Sequence, residues 1–354
     1  MKSYNFYAGP AILPEKVLKK AQQAVGNFAD MNLSILEISH RSKQFTAVME
    51  EAEELVRSLL NLSDEYAVLF LTGGASSQFY MSAMNLLNKK AAFLDTGTWS
   101  AKSIKEAQKF GEIDIVASGK DKAYTYIPKD FNLSPDHEYL HITSNNTIFG
   151  TQWHEFPDVD IPLVCDASSD IFSKPLDLSK FGMIYAGAQK NVGPAGTTLV
   201  IIRKEMLGKV DRQIPTMLDY NTHIEKKSSF NTPPVFPIYV CMLVFRWLRE
   251  NGGLEAMEAH NKKKATILYD TLDSSELFYG VVDKADRSLM NVTFKIKDDS
   301  LNDAFNQLAE ENGCIGVKGH RSVGGFRASI YNAMSVEGIE KLCEVIQNFE
   351  AKYA

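Results

Sequence analysis

Short apolar segments alternate with amphipathic ones through the first half of the chain, and this alternation limits the folds available to it. From Gln44 to Leu62 apolar residues recur with the spacing of one helix face. Strand-like runs follow, namely "AVLFL", "AAFLD", "EIDIVAS", "YLHITS", "IPLVCDAS" and "MIYAGA", and the first three are separated by the helix-like stretches "QFYMSAMNLL" and "WSAKSIKEAQKF". This pattern predicts an α/β fold whose mostly parallel sheet is covered on both faces.

Composition and charge disfavour several classes of protein. The 354 residues include 38 Lys and Arg against 44 Asp and Glu, a formal net charge of -6, so nothing favours binding to nucleic acid or to a membrane surface. The four cysteines are far apart, which suggests neither disulfides nor a metal site. The run "VFPIYVCMLVF" contains a proline and is shorter than the roughly 20 residues that a membrane span needs. We therefore expect a cytoplasmic globular protein.

The chain changes character at residue 205. The segment 205–235 is polar and too long for an ordinary connection, so we expect it to serve a site or to contact a partner. Two helical stretches, 236–250 and 253–274, follow it. The remaining pattern of strand, helix, strand and helix predicts a separate α+β domain that begins near residue 255. Within the second helical stretch, the lysines of "NKKKA" are interpreted as a solvated helix face.

Three features at predicted strand ends together suggest a cofactor site. In "FLTGGASSQF" a strand ends in two glycines and then enters a helix, whose free N–H groups and serine hydroxyls can form a phosphate cup. Asp166 ends the apolar run of "PLVCDASSD", and Lys190 follows the later run "MIYAGA". Each feature alone has a commoner explanation, such as a plain turn, a capping aspartate or a surface lysine. Together and in this order, they suggest a pyridoxal 5'-phosphate site.

The chemistry of that cofactor explains why these residue types are needed. A lysine amine bonds to the cofactor and, once released by substrate, can carry a proton to or from the substrate α-carbon. A carboxylate against the pyridine nitrogen keeps that nitrogen protonated, so the ring withdraws electrons. An aromatic side chain stacks on the ring, and Trp99 in "DTGTWS" follows a strand as this role requires. The alternative interpretation of Trp99 is a core residue.

The motifs of the whole chain resemble the phosphoserine aminotransferase family, a group of class-V aminotransferases with the fold-type-I architecture. The resemblance extends from "NFYAGPAILP" to "GHRSVGGFRASIYNAMS" and includes "ISHRS", "GGASSQF", "TGTWS", "SNNTIFGTQW", "YAGAQKNVGPAG" and "FNTPP". It covers essentially the entire sequence. It implies a large cofactor-binding domain, 16–254, with a mostly parallel seven-stranded sheet. It also implies a small α+β domain formed by 255–354 together with residues 1–15.

The resemblance implies a set of contacts to the cofactor. Lys190 is the lysine that bonds to pyridoxal 5'-phosphate, and Asp166 is the partner of the pyridine nitrogen. Trp99 stacks on the ring, while Thr147 binds the phenolic oxygen. The implied ligands of the cofactor phosphate, the last two supplied by the neighbouring subunit of a homodimer, are Ala75, Ser76, Gln189, Asn231 and Thr232.

The resemblance also implies where the substrates bind. Arg327 holds the substrate α-carboxylate. Arg41, His320 and Arg321 bind the substrate phosphate, and His40 lies close by. A guanidinium suits planar, bidentate capture of both anions, although a lone arginine is most often a solvated surface residue.

The implied reaction is reversible amino transfer between O-phospho-L-serine and 2-oxoglutarate, which gives 3-phosphohydroxypyruvate and L-glutamate in serine biosynthesis. Relatives also act on the phosphohydroxythreonine of pyridoxine biosynthesis. One position departs from part of the family, since Ser76 stands where some members carry an arginine that adds to phosphate binding. Selection of phosphorylated substrates would then depend mainly on Arg41, His320 and Arg321.

Other functions remain open on the sequence alone. Another fold-type-I transaminase, such as an alanine–glyoxylate type, would lack a dedicated phosphate site. A cysteine desulfurase is disfavoured because no cysteine lies in an obvious exposed loop. A dinucleotide-binding oxidoreductase is disfavoured because no G-x-G-x-x-G follows the first strand. A binding module without catalysis would have no reason to keep Lys190 and Asp166 together.

Overall fold

The computed structural model describes residues 2–353. Its strands are β1 (Tyr4–Asn5), β2 (Tyr66–Thr72), β3 (Lys90–Asp95), β4 (Glu112–Ser118), β5 (Leu140–Thr143), β6 (Asn145–Asn146), β7 (Thr151–Gln152), β8 (Leu163–Asp166), β9 (Phe181–Gly187), β10 (Thr197–Arg203), β11 (Phe278–Gly280), β12 (Asn291–Ile296), β13 (Cys314–Ile315) and β14 (Phe326–Ser329). Its α-helices are α1 (Glu15–Gly26), α2 (Lys43–Leu60), α3 (Ala75–Leu86), α4 (Thr98–Ala107), α5 (Tyr220–Glu225), α6 (Val235–Glu250), α7 (Gly253–Ser274), α8 (Asn302–Glu311) and α9 (Val336–Tyr353).

The central sheet has seven strands in the order β2-β10-β9-β8-β5-β3-β4. The pairs from β9 through β8, β5 and β3 to β4 are parallel, and β10 runs antiparallel to both of its neighbours. This confirms the α/β class and the mostly parallel seven-stranded sheet. The inner strands are buried on both faces, as in β8, where all four residues are buried. That double burial explains why they read as continuous apolar runs.

Helices cover both faces of the central sheet. On one face, α2 and α6 bury apolar residues such as Leu55 and Phe245 against the sheet. The amphipathic helix predicted between Gln44 and Leu62 is confirmed as α2, because the apolar face of α2 lies in this core. On the other face, α3 and α4 contribute residues such as Phe79 and Ile104.

A second apolar core gathers α7, α8 and α9 around the three-stranded sheet β11-β12-β14. Phe6 of the N-terminal segment lies in this core, and β1 pairs with β13. Helix α7 contributes Leu254 and Met257 to the first core and Leu268 to the second. The division into 16–254 and 255–354 with 1–15 stays a prediction. Its boundary would lie within the first turn of this shared helix.

Parallel strands bring distant parts of the sequence to one edge of the central sheet. β5 ends at Thr143, β8 at Asp166 and β9 at Gly187. β2 ends at the same edge and leads through two glycines into α3. Ligands of open α/β sheets bind at this carboxyl edge. Within residues 2–353, no helix is long and apolar enough to cross a membrane.

Candidate active site

A cavity opens at the carboxyl edge of the central sheet. The strand ends described above provide its floor, and the first turns of α3 and α4 form part of its wall. Of the residues that the sequence predicted for the cofactor, six line this one cavity: Ala75, Ser76, Trp99, Asp166, Gln189 and Lys190. They come from segments that are far apart in the chain, so their meeting is a consequence of the sheet topology.

Lys190 lies in the turn that follows β9. Its Nζ donates a hydrogen bond of 2.6 Å to Thr147 Oγ1, so the predicted residue Thr147 reaches the site through this contact. Desolvation lowers the pKa of Lys190 to about 8, against the effect of the Asp166 carboxylate and with a further lowering from Arg327. A lysine with a lowered pKa has more neutral amine near pH 7, which is the form that reacts as a nucleophile or base.

The lowered pKa of Lys190 can be measured in cofactor-free protein by acetic anhydride labelling at a series of pH values. Reactivity should rise with pH, with a midpoint at about 8, since only the neutral amine reacts. In Asp166→Asn the midpoint should fall further, because the variant removes the negative charge that raises the pKa of Lys190. A midpoint near 10.4, the usual value for lysine, would contradict the desolvated site.

Asp166 is a buried carboxylate that faces the cavity. Its Oδ1 accepts hydrogen bonds from Ser168 N at 3.0 Å and from Ser168 Oγ at 2.6 Å. Desolvation raises the pKa of Asp166, while the Ser168 hydrogen bonds and the charge of Lys190 oppose that shift. None of the described hydrogen bonds uses Oδ2, so this oxygen is available to a cationic or N–H ligand. A buried carboxylate is stabilised by such a partner.

The N-terminus of α3 forms another part of the cavity lining. Its cap residue is Gly74, which has no side chain to accept a hydrogen bond. The first N–H groups of the helix, those of Ala75 and Ser76, therefore lack a side-chain cap. A Cβ placed on Gly187 would lie 3.3 Å from Ala75 N, so the glycine keeps the space before these groups open. Free N–H groups and the helix dipole favour an anion here.

Trp99 lines the cavity from the first turn of α4. It is half-buried, which disfavours the alternative of a plain core residue. The Nζ of Lys102 lies 4.5 Å from the centroid of the Trp99 ring. Thr143, which also lines the cavity, has a buried Oγ1 without a hydrogen-bond partner. The cavity thus offers a flat aromatic wall and an unpaired hydroxyl to a planar polar ligand.

Arg327 lies on β14 and, with His320, lines a small pocket separate from the cavity. Its Nη1 donates to Thr147 O at 3.4 Å, so Lys190 and Arg327 both contact Thr147. Desolvation lowers the pKa of Arg327, and its Nε is buried without a hydrogen-bond partner. None of the ion pairs within residues 2–353 includes Arg327. A half-buried guanidinium in this situation favours an anionic ligand.

His320 and Arg321 lie in the loop between β13 and β14. His320 Nδ1 is 2.7 Å from Ser322 Oγ. The pKa of His320 is lowered by desolvation and then by the positive charges of Arg327, Arg321 and Lys102. Several positive charges therefore act on His320, and an anion such as a phosphate ester would relieve their repulsion.

Eight predicted residues do not line the cavity: Thr147, His320, Arg321 and Arg327, described above, and His40, Arg41, Asn231 and Thr232. His40 and Arg41 lie in the turn before α2, where Arg41 is exposed and His40 Nε2 is buried without a partner. Asn231 lines a different pocket, beside β2 and α5, and Thr232 next to it is exposed. No hydrogen bond or ion pair among the described residues joins Arg41 to the loop that carries Arg321. The described part of this chain therefore does not unite all the predicted ligands in one cavity.

Comparison with known proteins identifies the family to which this chain belongs. The family "Aminotransferase class-V" matches residues 3–342. The chain belongs to the class-V aminotransferases. A curated relative, the phosphoserine aminotransferase of Parabacteroides distasonis, is 56% identical over 355 residues, with 100% of both chains covered.

Two solved structures are also similar to this class-V aminotransferase. Phosphoserine aminotransferase from Bacillus circulans subsp. alkalophilus has a TM-score of 0.97 at 43% identity, with 100% of this chain and 99% of that chain covered. The pyridoxal-phosphate-bound phosphoserine aminotransferase from Trichomonas vaginalis has a TM-score of 0.93 at 36% identity, with 98% of this chain and 100% of that chain covered. The similarity therefore spans both apolar cores.

A buried polar layer behind Asp166 was missed in the sequence of this class-V aminotransferase. Ser144 Oγ donates to Asp170 Oδ1 and, at 3.2 Å, to Asp166 O. Gln152 Nε2 donates to Asp170 Oδ2 at 3.0 Å, and desolvation raises the pKa of Asp170. This layer fixes the backbone that carries the Asp166 carboxylate. The signal was the polar run "SSD" at 168–170, one residue after Asp166, which is unusual behind a buried strand.

The interpretation of "NKKKA" as a solvated helix face is wrong for two of its residues. Asn261 and Lys264 are both 0% exposed, while Lys262 and Lys263 are exposed. The buried pair lies three residues apart and so shares one face of α7. The missed signal was that Lys264 keeps helical spacing with the apolar residue Leu268.

Proposed function

We propose that this chain is a phosphoserine aminotransferase that uses pyridoxal 5'-phosphate and exchanges the amino group between O-phospho-L-serine and 2-oxoglutarate. The observation that carries the proposal is the single cavity that joins the Lys190 amine, the Asp166 carboxylate and the N-terminus of α3. The full-length similarity to the phosphoserine aminotransferase of Parabacteroides distasonis supports the choice of substrate. A cytoplasmic location belongs to the same proposal and agrees with four free cysteines.

The groups around the cavity fit this cofactor. The N–H groups of Ala75 and Ser76 would hold its phosphate, with Gln189 beside them. The free oxygen of Asp166 would accept the pyridine N–H, and Trp99 would cover the ring. When bound, the cofactor supplies an electron-withdrawing ring that stabilises negative charge at the substrate α-carbon.

Lys190 is the group that would move protons in this reaction. Its amine has a pKa of about 8, so it can both accept and return a proton near neutral pH. The Thr147 hydroxyl, 2.6 Å from Nζ, holds the amine at the cavity. Asp166 raises the pKa of Lys190, so the charged and neutral forms stay close in free energy.

The substrate anions would be divided between two groups of cations. Arg327 would bind the α-carboxylate, because it lies beside Thr147 and has no carboxylate partner in the described part of the chain. His320 and Arg321, with Arg41, would bind the phosphate. The side-chain carboxylate of glutamate or 2-oxoglutarate would occupy the phosphate position. His320 and Arg321 would thereby orient both substrates at the site.

The direct test of the cofactor assignment uses the purified holoenzyme. Borohydride reduction should convert its near-visible absorbance into a stable adduct, and peptide mapping should place that adduct on Lys190. Before reduction, the same holoenzyme should form glutamate from phosphoserine and 2-oxoglutarate. An adduct on another lysine would overturn the assignment of Lys190, and the absence of glutamate formation would overturn the proposed reaction.

The proposal includes a homodimer with shared active sites. Asn231 and Thr232 lie outside the cavity of their own subunit, which supports a role in the partner's site. Large apolar side chains are exposed in the segments near them and in the N-terminal loops, including Leu36 at 64%, Met217 at 41% and Phe230 at 38%. A second subunit would cover such residues, whereas a monomer would leave them in water.

Hybrid dimers test this sharing. A Lys190→Ala subunit co-expressed with an Asn231→Asp subunit, each with its own tag, should give hybrids with one intact site. That site would combine Lys190 of one subunit with Asn231 of the other. We expect doubly tagged hybrids to recover about half of the wild-type turnover, although each parent dimer is impaired. Hybrids that stay as impaired as the parent dimers would mean that Asn231 serves its own subunit. An active enzyme that is monomeric by light scattering would also refute the proposal.

A further inference from the structure

Lys264 of α7 is a fully buried basic residue that the proposed reaction does not use. It is 0% exposed, and its Nζ donates to Ile330 O at 2.8 Å and to Tyr331 O at 2.7 Å. Within residues 2–353 it takes part in no ion pair with a carboxylate. Desolvation lowers the pKa of Lys264 to about 7. Burial of such a group is costly unless its hydrogen bonds offset the lost hydration.

The two carbonyls that accept from Lys264 belong to the segment 330–332, here named the junction segment. Its last residue, Asn332, donates its backbone N–H to Asn191 Oδ1 at 3.1 Å and its Nδ2 to Phe172 O at 2.9 Å. Tyr331 Oη donates to Ala8 O at 2.7 Å. The junction segment is thus held by α7, by the large cofactor-binding part of the chain and by the N-terminal segment.

The junction segment connects the two ends of the proposed active site. It follows β14 directly, and β14 carries Arg327. On the other side, Asn191, which accepts from the segment, is the residue after Lys190. A shift of the segment would therefore change where Arg327 lies relative to the Lys190 amine. Binding geometry is sensitive to displacements of this kind.

We propose that Lys264 is a positioning residue for the carboxylate-binding end of the site, and that it acts on Arg327 through the junction segment. The inference rests on the proposed function, because it takes Arg327 to be the ligand of the substrate α-carboxylate. Tyr331 O also accepts from Met334 N at 2.9 Å. Ile330 O would therefore be the more affected carbonyl when the ammonium group is removed.

The test compares Lys264→Met with Lys263→Met in the holoenzyme. Both variants replace a lysine of α7 by an unbranched apolar side chain, but Lys263 is exposed and serves as the matched control. Dissociation constants for phosphoserine and for glutamate come from single-turnover titrations of the cofactor absorbance. The dissociation constant of inorganic phosphate, which has no α-carboxylate, comes from competition, and thermal unfolding is recorded alongside.

In Lys264→Met we expect both amino acids to bind about tenfold more weakly, to the same extent, because each presents the same α-carboxylate. Inorganic phosphate binding and the cofactor spectrum should be unchanged. Lys263→Met should match the wild type in all these measurements. If Lys264→Met lowers only the unfolding temperature, or weakens phosphate as much as the amino acids, Lys264 has a purely structural role and the inference is wrong.

A second variant covers the case in which Lys264→Met does not fold. Tyr331→Phe removes the hydrogen bond that Tyr331 Oη donates to Ala8 O and the one that it accepts from Asn291 Nδ2, while it keeps the ring. It should show the same pattern of weakened amino acids and unchanged phosphate. Unchanged amino-acid affinities in this variant would then overturn the inference. Failure of the proposed function would look different, since the unmodified holoenzyme would not respond to phosphoserine or glutamate at all.

Discussion

Lys190→Ala should abolish transamination and leave the fold intact. The variant removes the amine that would bond to the cofactor and transfer the proton, so turnover should fall by about four orders of magnitude or more. Lys190 is only half-buried and is hydrogen-bonded to Thr147 alone through Nζ, so its truncation opens no large cavity in either apolar core. The measurement is glutamate formation from phosphoserine and 2-oxoglutarate, with circular dichroism and thermal unfolding as checks on folding.

Lys209→Ala is a suitable control for that experiment. Lys209 is exposed and takes part in no ion pair among the described residues, so its loss should change neither activity nor unfolding. A Lys190→Ala enzyme with near wild-type turnover would show that another group performs the chemistry. A misfolded Lys190→Ala protein would indicate instead that the Thr147 contact is important for stability.

Substitutions of Arg327 and Arg321 should affect the phosphoserine and glutamate half-reactions differently. Arg327→Ala should reduce kcat/KM for phosphoserine and for glutamate about equally, since both substrates present an α-carboxylate. Arg321→Ala should impair phosphoserine much more than glutamate, because a phosphate carries more charge than a side-chain carboxylate. Charge-assisted hydrogen bonds contribute roughly 1.5–3 kcal/mol, so each loss should amount to about one to two orders of magnitude.

Single-turnover titrations of the cofactor absorbance with each amino acid measure these effects separately. Lys318→Ala provides a control, since Lys318 is an exposed residue of the same loop. Equal losses for both substrates in Arg321→Ala would argue against a phosphate site at His320 and Arg321. A loss confined to phosphoserine in Arg327→Ala would exchange the roles of the two arginines.

The sequence was most informative where function coincides with a strand end. Asp166 and Lys190 were predicted to lie together because parallel strands end at one edge, and the cavity contains both. Trp99 was predicted from its position after β3, and it lines the same cavity. These predictions needed only strand order and the chemistry of the side chains.

Residues whose surroundings come from distant parts of the chain could not be predicted in the same way. Lys264 looks solvated among neighbouring lysines, and its burial depends on carbonyls of the junction segment, which lies far along the sequence. Asp170 depends on Ser144 and Gln152 from other elements. Arg41 is exposed in the turn before α2, and its position relative to Arg321 depends on the tertiary structure rather than on a local pattern.

Substrate selection by the wild-type enzyme tests the central claim most directly. The measurement is kcat/KM for phosphoserine and for serine, each with 2-oxoglutarate as the amino acceptor. The cations around His320 would bind the phosphate and would have no ligand when serine is bound. We predict that phosphoserine is preferred by at least about a hundredfold. Equal values for the two substrates, or a preference for serine or alanine, would contradict a phosphoserine aminotransferase and favour a transaminase of the alanine–glyoxylate type.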